Sequence, residues 1–242
     1  MVNQSTWVGI IFAMLLGFGP AEQAFGEEDS SQELTLNLAD TYSKGIDPAI
    51  RYSASTNEQY ASKMILDPQE TADVKRWNDQ GFQALQEGDP KRSLSYFKEA
   101  YKLNKKSSRA RFGIGTAFIS LGRYKDALKV FDPMLDEYPY DFLLRNNVAW
   151  LLATANDATV RNPRRARQLA QDAVLVGFKD YHVWSTLSET HYAMGDYERA
   201  HRTAIQALDM ATEAGAPAAS REDYRRQVDK CAKAVEAFSI ME

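Results

Sequence analysis

The stretch "ISLGRYKDALKVFDPM", residues 119–134, decides the fold because the chain uses it more than once. "LQEGDPKRSLSYFKEA" (85–100) and "YAMGDYERAHRTAIQA" (192–207) can be laid over it. Each has a glycine-polar turn, then a small residue five positions after the glycine: Ser93, Ala127 and Ala200. Gly88 and Gly122 are 34 residues apart, as are Phe97 and Phe131, and Gln80-Gly81 and Ile114-Gly115. A period of this length with this layout belongs to an array of helix-turn-helix units.

The spacing has a physical reason. Trp77, Gly81 and Ala84 fall at i, i+4 and i+7, on one face of a first helix. Ser93, Phe97 and Ala100 repeat the pattern on the second helix. The small residues let the two helices approach while the aromatic ring fills the gap between them. Gly88, Gly122 and Gly195 are expected to stop each first helix in a left-handed conformation. A lone hairpin cannot bury its apolar face, so neighbouring units must stack into a continuous core.

These residues resemble the tetratricopeptide repeat family, whose loose pattern runs aromatic, Leu, Gly/Ala, Tyr, then Gly, Ala, Phe, Ala and Pro. Residues 108–141 match it at Gly115, Phe118, Gly122, Tyr124, Ala127, Phe131 and Pro139. Residues 181–214 offer Trp184, Leu187, Gly195, Tyr197, Ala200, Ala204 and Ala207. Residues 74–107 offer Trp77, Gly81, Phe97 and Ala100, with Lys105 where the closing proline is expected. The resemblance implies an all-α fold: a tetratricopeptide-like α-solenoid of about four helix-turn-helix repeats plus a C-terminal capping helix.

The third repeat, 142–180, breaks the rhythm. From Arg145 to Ala166 is 21 residues, whereas Trp77 to Ser93 and Trp184 to Ala200 are 16. The extra five lie in the turn between its helices and end at Asn162-Pro163, an N-cap followed by proline at the first helical position. Ala166, Ala170 and Ala173 then recover the packing register, which leaves "NDATVR" at an exposed edge. "NVAWLLAT" followed by "RNPRRA" also resembles a variant repeat of exported bacterial members of the family.

On either side of the array the chain changes character. In 215–242, Tyr224, Val228, Cys231, Val235 and Phe238 step by 4, 3, 4 and 3, the apolar stripe of a capping helix. Ser220 and Asp223 have capping-box spacing, and "REDYRRQVDK" is expected to face water. Asp67-Pro68 and Asp47-Pro48 look like helix starts, so the array is expected over 67–214. Residues 27–66 are polar and acidic and read as a flexible linker with room for a short helix.

The first residues carry an uncharged apolar run from Trp7 to Phe18, shorter than the roughly 20 residues a bilayer span takes. With Ala24 and Gly26 flanking Phe25 ahead of "EED", residues 1–26 read as a secretory signal peptide cleaved after Gly26, or after Ala21. The expected location is periplasmic or extracellular. Retained, the same segment would be a membrane anchor, the one route to membrane contact.

Composition excludes several function classes. Hydrophobic residues make up 44% and charged residues 26%, values of an ordinary globular protein. A net charge of -4 gives no overall pull toward nucleic acid or anionic membrane. The single Cys231 cannot form an intramolecular disulfide and reads as a small core residue. His182, His191 and His201 lack metal-ligand spacing, and His191 occupies a slot where the family keeps an aromatic. No phosphate-cradling loop, G-x-S-x-G or C-x-x-C is present. No catalytic residue, metal or cofactor is therefore assigned, and the expectation is a non-enzymatic protein-binding module.

The resemblance implies a concave groove lined by first helices that receives a peptide or helix of a partner protein. By register its candidates are Lys75, Asn78, Phe82, Arg109, Phe112, Thr116, Asn146, Trp150, His182, Ser185, Glu189 and Tyr192. Asn146 and Trp150, one turn apart, are the strongest pair: an amide bonds both peptide N–H and C=O, and an indole gives a flat apolar platform. Some family members clamp a C-terminal carboxylate; those slots hold Phe112, Thr116, Asn147, His182 and Thr186 here, and only Asn147 fits. The run Arg161, Arg164, Arg165 and Arg167 is the sharpest charged feature, a solvated face or a docking patch for an acidic partner.

Overall fold

The computed structural model describes residues 70–240. The leader 1–26, the linker 27–66, and the Asp47-Pro48 and Asp67-Pro68 starts lie outside the described residues. Among the described residues the chain forms nine helices and no strand. They are α1 (Ala72–Gln86), α2 (Pro90–Leu103), α3 (Ser108–Ser120), α4 (Tyr124–Glu137), α5 (Phe142–Thr154), α6 (Pro163–Gly177), α7 (Tyr181–Ala193), α8 (Tyr197–Glu213) and α9 (Ala218–Ser239).

Local chemistry starts most of them. Asp89, Ser107, Asp141, Asn162, Asp180 and Asp196 each accept a backbone N–H from the first turn they precede. That satisfies donors a helix start otherwise leaves open. Pro90 and Pro163 sit at the first helical position, where proline's missing N–H costs nothing. Gly88, Gly122 and Gly195 turn the chain at φ 73°, 70° and 79°, conformations that a side chain strains. Thr71 caps α1 through the N–H of Val74.

The helices pack as a stack of hairpins. α1 lies against α2, α3 against α4, α5 against α6 and α7 against α8. First helices also touch one another, α1–α3–α5–α7, and form one layer. α9 packs on α8 and closes the end of the stack. The interlock is visible at Phe97, which is fully buried. A Cβ built on Gly81 of α1 would lie 2.6 Å from its ring, and one built on Gly113 of α3 only 2.3 Å. One aromatic therefore joins two repeats through two absent side chains. Phe131 repeats the arrangement against Gly115 at 2.4 Å. In the third and fourth repeats the same register holds Ala149 with Ala170 and Ser188 with Ala204, all fully buried. Gly-plus-ring is exchanged for two mid-sized groups, which keeps the interior filled.

The tryptophan slot varies too. Trp77 and Trp184 fill it in the outer repeats; Arg111 and Arg145 fill it in the middle ones. Arg111 reaches Glu137 with two bonds of 2.7 and 2.6 Å. Arg145 reaches the buried Asp172 of α6 and the carbonyl of Pro139, and Gln168 donates to the same carboxylate at 3.1 Å.

Pro133 lies inside α4 and is exposed; it costs the helix one backbone bond, and the Lys129 carbonyl left without it belongs to an exposed residue. Two expectations need correction. The capping helix begins at Ala218 with Pro217 at its N-cap, so Ser220 and Asp223 sit inside its first turns and form no box. The inserted loop is pinned rather than simply exposed. Ala155 and Val160 are buried in the main core, and the Asn162 N–H donates to the Leu152 carbonyl at 2.9 Å. Asp157 accepts from Thr159 and pairs with Lys125 of α4 at 3.5 Å.

Candidate functional site

The first-helix layer is where the register places the binding candidates, and the structure divides them into three groups. At the N-terminal end the polar ones are already engaged. Arg109 of α3 donates to Glu70 at 2.9 Å and to Asp79 of α1 at 2.8 Å, and its guanidinium lies 5.4 Å from the Phe82 ring centre. Asn78, fully buried, donates to Glu70 at 2.5 Å and to Ser107 at 3.4 Å. Lys75 pairs with Asp79 at 2.5 Å. Burial pushes the Asp79 carboxyl up, but the bonds from Lys75 and Arg109 outweigh it and hold the group below its ordinary range. This is a clasp between α1 and α3. Phe82 belongs to the core, edge-on to Phe97 at 4.7 Å.

The C-terminal end is clasped as well, by side chains the sequence reading sent to solvent. Lys230 of α9 donates to both oxygens of Glu189 at 2.6 and 2.7 Å and lies 4.3 Å over the Tyr192 ring. Gln227, buried, donates to Glu189 at 2.8 Å and to the Ser185 carbonyl at 3.0 Å, and accepts from the Ser185 hydroxyl at 2.8 Å. "REDYRRQVDK" is therefore not a water-facing run: Tyr224, Gln227 and Lys230 turn inward at helical spacing. The apolar stripe fades at its far end, where Phe238 is 49% exposed and lies in a T-shaped contact with Tyr197. His182 is buried, 2.6 Å from Asp180 through Nδ1, and stacks on Tyr181.

Between the clasps the layer is polar and unpaired. Thr116 of α3, Asn146 and Asn147 of α5 and Thr186 of α7 are at most 1% exposed. The two hydroxyls and all four amide heteroatoms have no hydrogen-bond partner among the described residues. Trp150 and Phe112 lie in the core at 7% and 2% exposure, so neither presents an open platform. Each unmade bond of this kind costs on the order of 1–3 kcal/mol. No carboxylate or ammonium group belongs to the set.

Outside this layer, Arg161 and Arg164 are exposed and Arg167 is half-buried, and none of the three has an ion-pair partner among the described residues. Arg165 reaches Asp132 of α4 at 2.6 Å. Close by, His191 at the end of α7 is 1% exposed and its pKa is lowered to about 4. Burial disfavours its charged form first, Asp196 favours it, and Arg199, Arg167 and Arg202 oppose it. The unfolded chain protonates this ring below about 6.5, the folded one only near 4, so its contribution to stability is present above pH 6.5 and lost as pH falls toward 4. Lowering pH from 7.5 to 5 should cost the wild type about 2 kcal/mol more than His191→Phe, read by urea unfolding of both. Equal losses would refute the assignment. Cys231 is buried, 3.7 Å from Ser188, and burial raises its thiol pKa.

Among the described residues no cluster of His, Cys, Asp or Glu could hold a metal ion, and no helix is long and apolar enough to cross a membrane. Residues 84–151 match the family model described as tetratricopeptide repeat. Over residues 84–151 the chain carries tetratricopeptide repeats. No curated protein sequence matches it. Among solved structures, a tetratricopeptide protein of Thermus thermophilus, TTC0263, is 20% identical, with a TM-score of 0.53 over 67% of this chain and 90% of that one. MamA of Desulfovibrio magneticus, residues 41 to the end, is 17% identical, with a TM-score of 0.48 over 69% of this chain and 98% of that one. A further MamA structure is 14% identical, with a TM-score of 0.44 over 67% and 88%. The tetratricopeptide architecture is one of protein-protein interaction scaffolds, and such repeats generally bind protein partners.

Proposed function

We propose that this chain is a non-enzymatic scaffold of the cell envelope that binds a partner protein segment along its first-helix layer, at the middle rather than at the ends. The observation that carries the reading is the unpaired set Thr116, Asn146, Asn147 and Thr186. Both ends of the layer spend their charged groups on internal clasps, leaving one amide oxygen each on Asn78 and Gln80 unpaired, whereas in the centre two whole amides and two hydroxyls stay unpaired among the described residues. An amide can give an N–H and accept from an N–H of one extended backbone at once, so the two asparagines suit an uncharged main chain. Because the set lies below the surface, binding that uses it requires the helices to part, and association should be slower than for an open groove. The apolar leader supports an exported, periplasmic setting; if it is retained, the same scaffold is tethered to the membrane, and N-terminal sequencing of the mature protein decides between the two.

The double variant Asn146→Ala/Asn147→Ala tests the site. It removes four unsatisfied atoms and inserts better helix formers, so its melting temperature should stay level or rise. Its capture of partner proteins from an envelope fraction should fall about tenfold or more. Undiminished capture by a folded double variant would falsify the central site.

A further inference from the structure

Arg161, just before α6, and the arginines of α6 and α8 take no part in the first-helix site proposed above. We propose that Arg161, Arg164 and Arg167, together with Arg199 and Arg202, form a second docking surface, on the second-helix side, that takes an acidic peptide segment. Arg164 and Arg167 are one turn apart on the first turns of α6, and Arg161 immediately precedes its cap. α6 and α8 both pack on α7, and Arg199 reaches the His191 end of α7 through Asp196, 3.1 Å from Arg199 and 3.8 Å from the ring; Arg167 and Arg202 act on the same ring electrostatically. Arg199 is held by Asp196 at 3.1 Å and Arg202 stands 4.0 Å from Glu198, whereas Arg161, Arg164 and Arg167 have no ion-pair partner among the described residues.

The chemistry selects the partner. Guanidinium groups match carboxylates in two parallel bonds, which a flexible ammonium cannot do. The protein as a whole is negative, at -4, so its attraction for anions is local and ends within a screening length of about 8–10 Å. A short acidic segment fits inside that range. An anionic membrane or a nucleic acid presents charge over a wider front and meets the negative remainder of the protein. Asp132, Asp196 and Glu198 pair with Arg165, Arg199 and Arg202 and interrupt any broad positive plane.

The test uses the full chain with a deca-glutamate peptide as probe, and inorganic phosphate and anionic phosphatidylglycerol vesicles as the other arms. Deca-glutamate should bind at about 50 mM salt and weaken at least about tenfold by about 300 mM. Arg161→Gln/Arg164→Gln/Arg167→Gln should lose binding about tenfold or more with its melting temperature unchanged, because two of the three side chains are exposed and none is paired. Bound peptide should also raise the His191 titration seen by NMR, since it cancels the field of the neighbouring arginines. Peptide binding that survives the triple substitution overturns the proposal. So does binding of the vesicles or of phosphate without binding of the peptide. The first-helix site is read separately: the triple variant should keep the envelope partners that Asn146→Ala/Asn147→Ala loses.

Discussion

Phe97→Ala should cost about 3–5 kcal/mol of unfolding free energy, among the largest single losses this fold can show. The ring is fully buried, and the backbone has been cleared for it on both sides. Gly81 and Gly113 would each carry a Cβ less than 3 Å from it, at 2.6 and 2.3 Å. Removing the ring leaves a void between two repeats that neither glycine can fill. The loss should appear in the urea midpoint with the slope little changed. Hydrogen exchange should show α1 and α2 opening first, because in a stack each unit depends on its neighbours. The reverse substitution tests the same contact: Gly113→Ala drives a methyl into the ring and should destabilise by about 1–3 kcal/mol. A cost below about 1 kcal/mol for Phe97→Ala would mean that the interlock is not what joins the first repeats.

Asp172→Ala should cost a comparable amount, about 3–5 kcal/mol, by a different route. Arg145 and Asp172 are 12% and 6% exposed, so deleting the carboxylate strands a cation out of water. The Pro139 carbonyl and Gln168 remain near but cannot neutralise it. The pair itself need not stabilise the fold, since both charges were desolvated to make it. The double variant Arg145→Met/Asp172→Leu should therefore recover most of the loss, to within about 1–2 kcal/mol of wild type. A double-mutant cycle in urea measures the coupling. Two additive single effects would show that the pair is not a unit.

The residues behind these two predictions were not equally legible. Phe97 and Gly81 could be read because the repeat prints the pair twice, 34 residues apart. Gly113 could not: it falls outside the repeat pattern, and its role belongs to the next unit's contact. Arg145 was legible as an arginine in a tryptophan slot, but its partner lies 27 residues on, in another helix, and no local rule joins them. The same holds for the groove candidates. Arg109 finds Asp79 and Glu70 at separations of 30 and 39 residues, and Lys230 finds Glu189 at 41. Helical register places a side chain on a face; which partner reaches it there depends on distant parts of the chain. The face and the chemistry of Asn146 are legible in sequence, yet that its amide is buried without a partner among the described residues is a property of the packed layer.

The periodic glycines, alanines and caps thus determined by themselves that this chain is a stack of helical hairpins, because backbone turns and helix spacing are local and repeat. The tertiary structure alone decided which polar groups are consumed in clasps, which stay unpaired in the middle, and that His191 is buried between α6 and α8 within the field of their arginines. Those outcomes depend on long-range pairings and on burial, and no short window of sequence contains either.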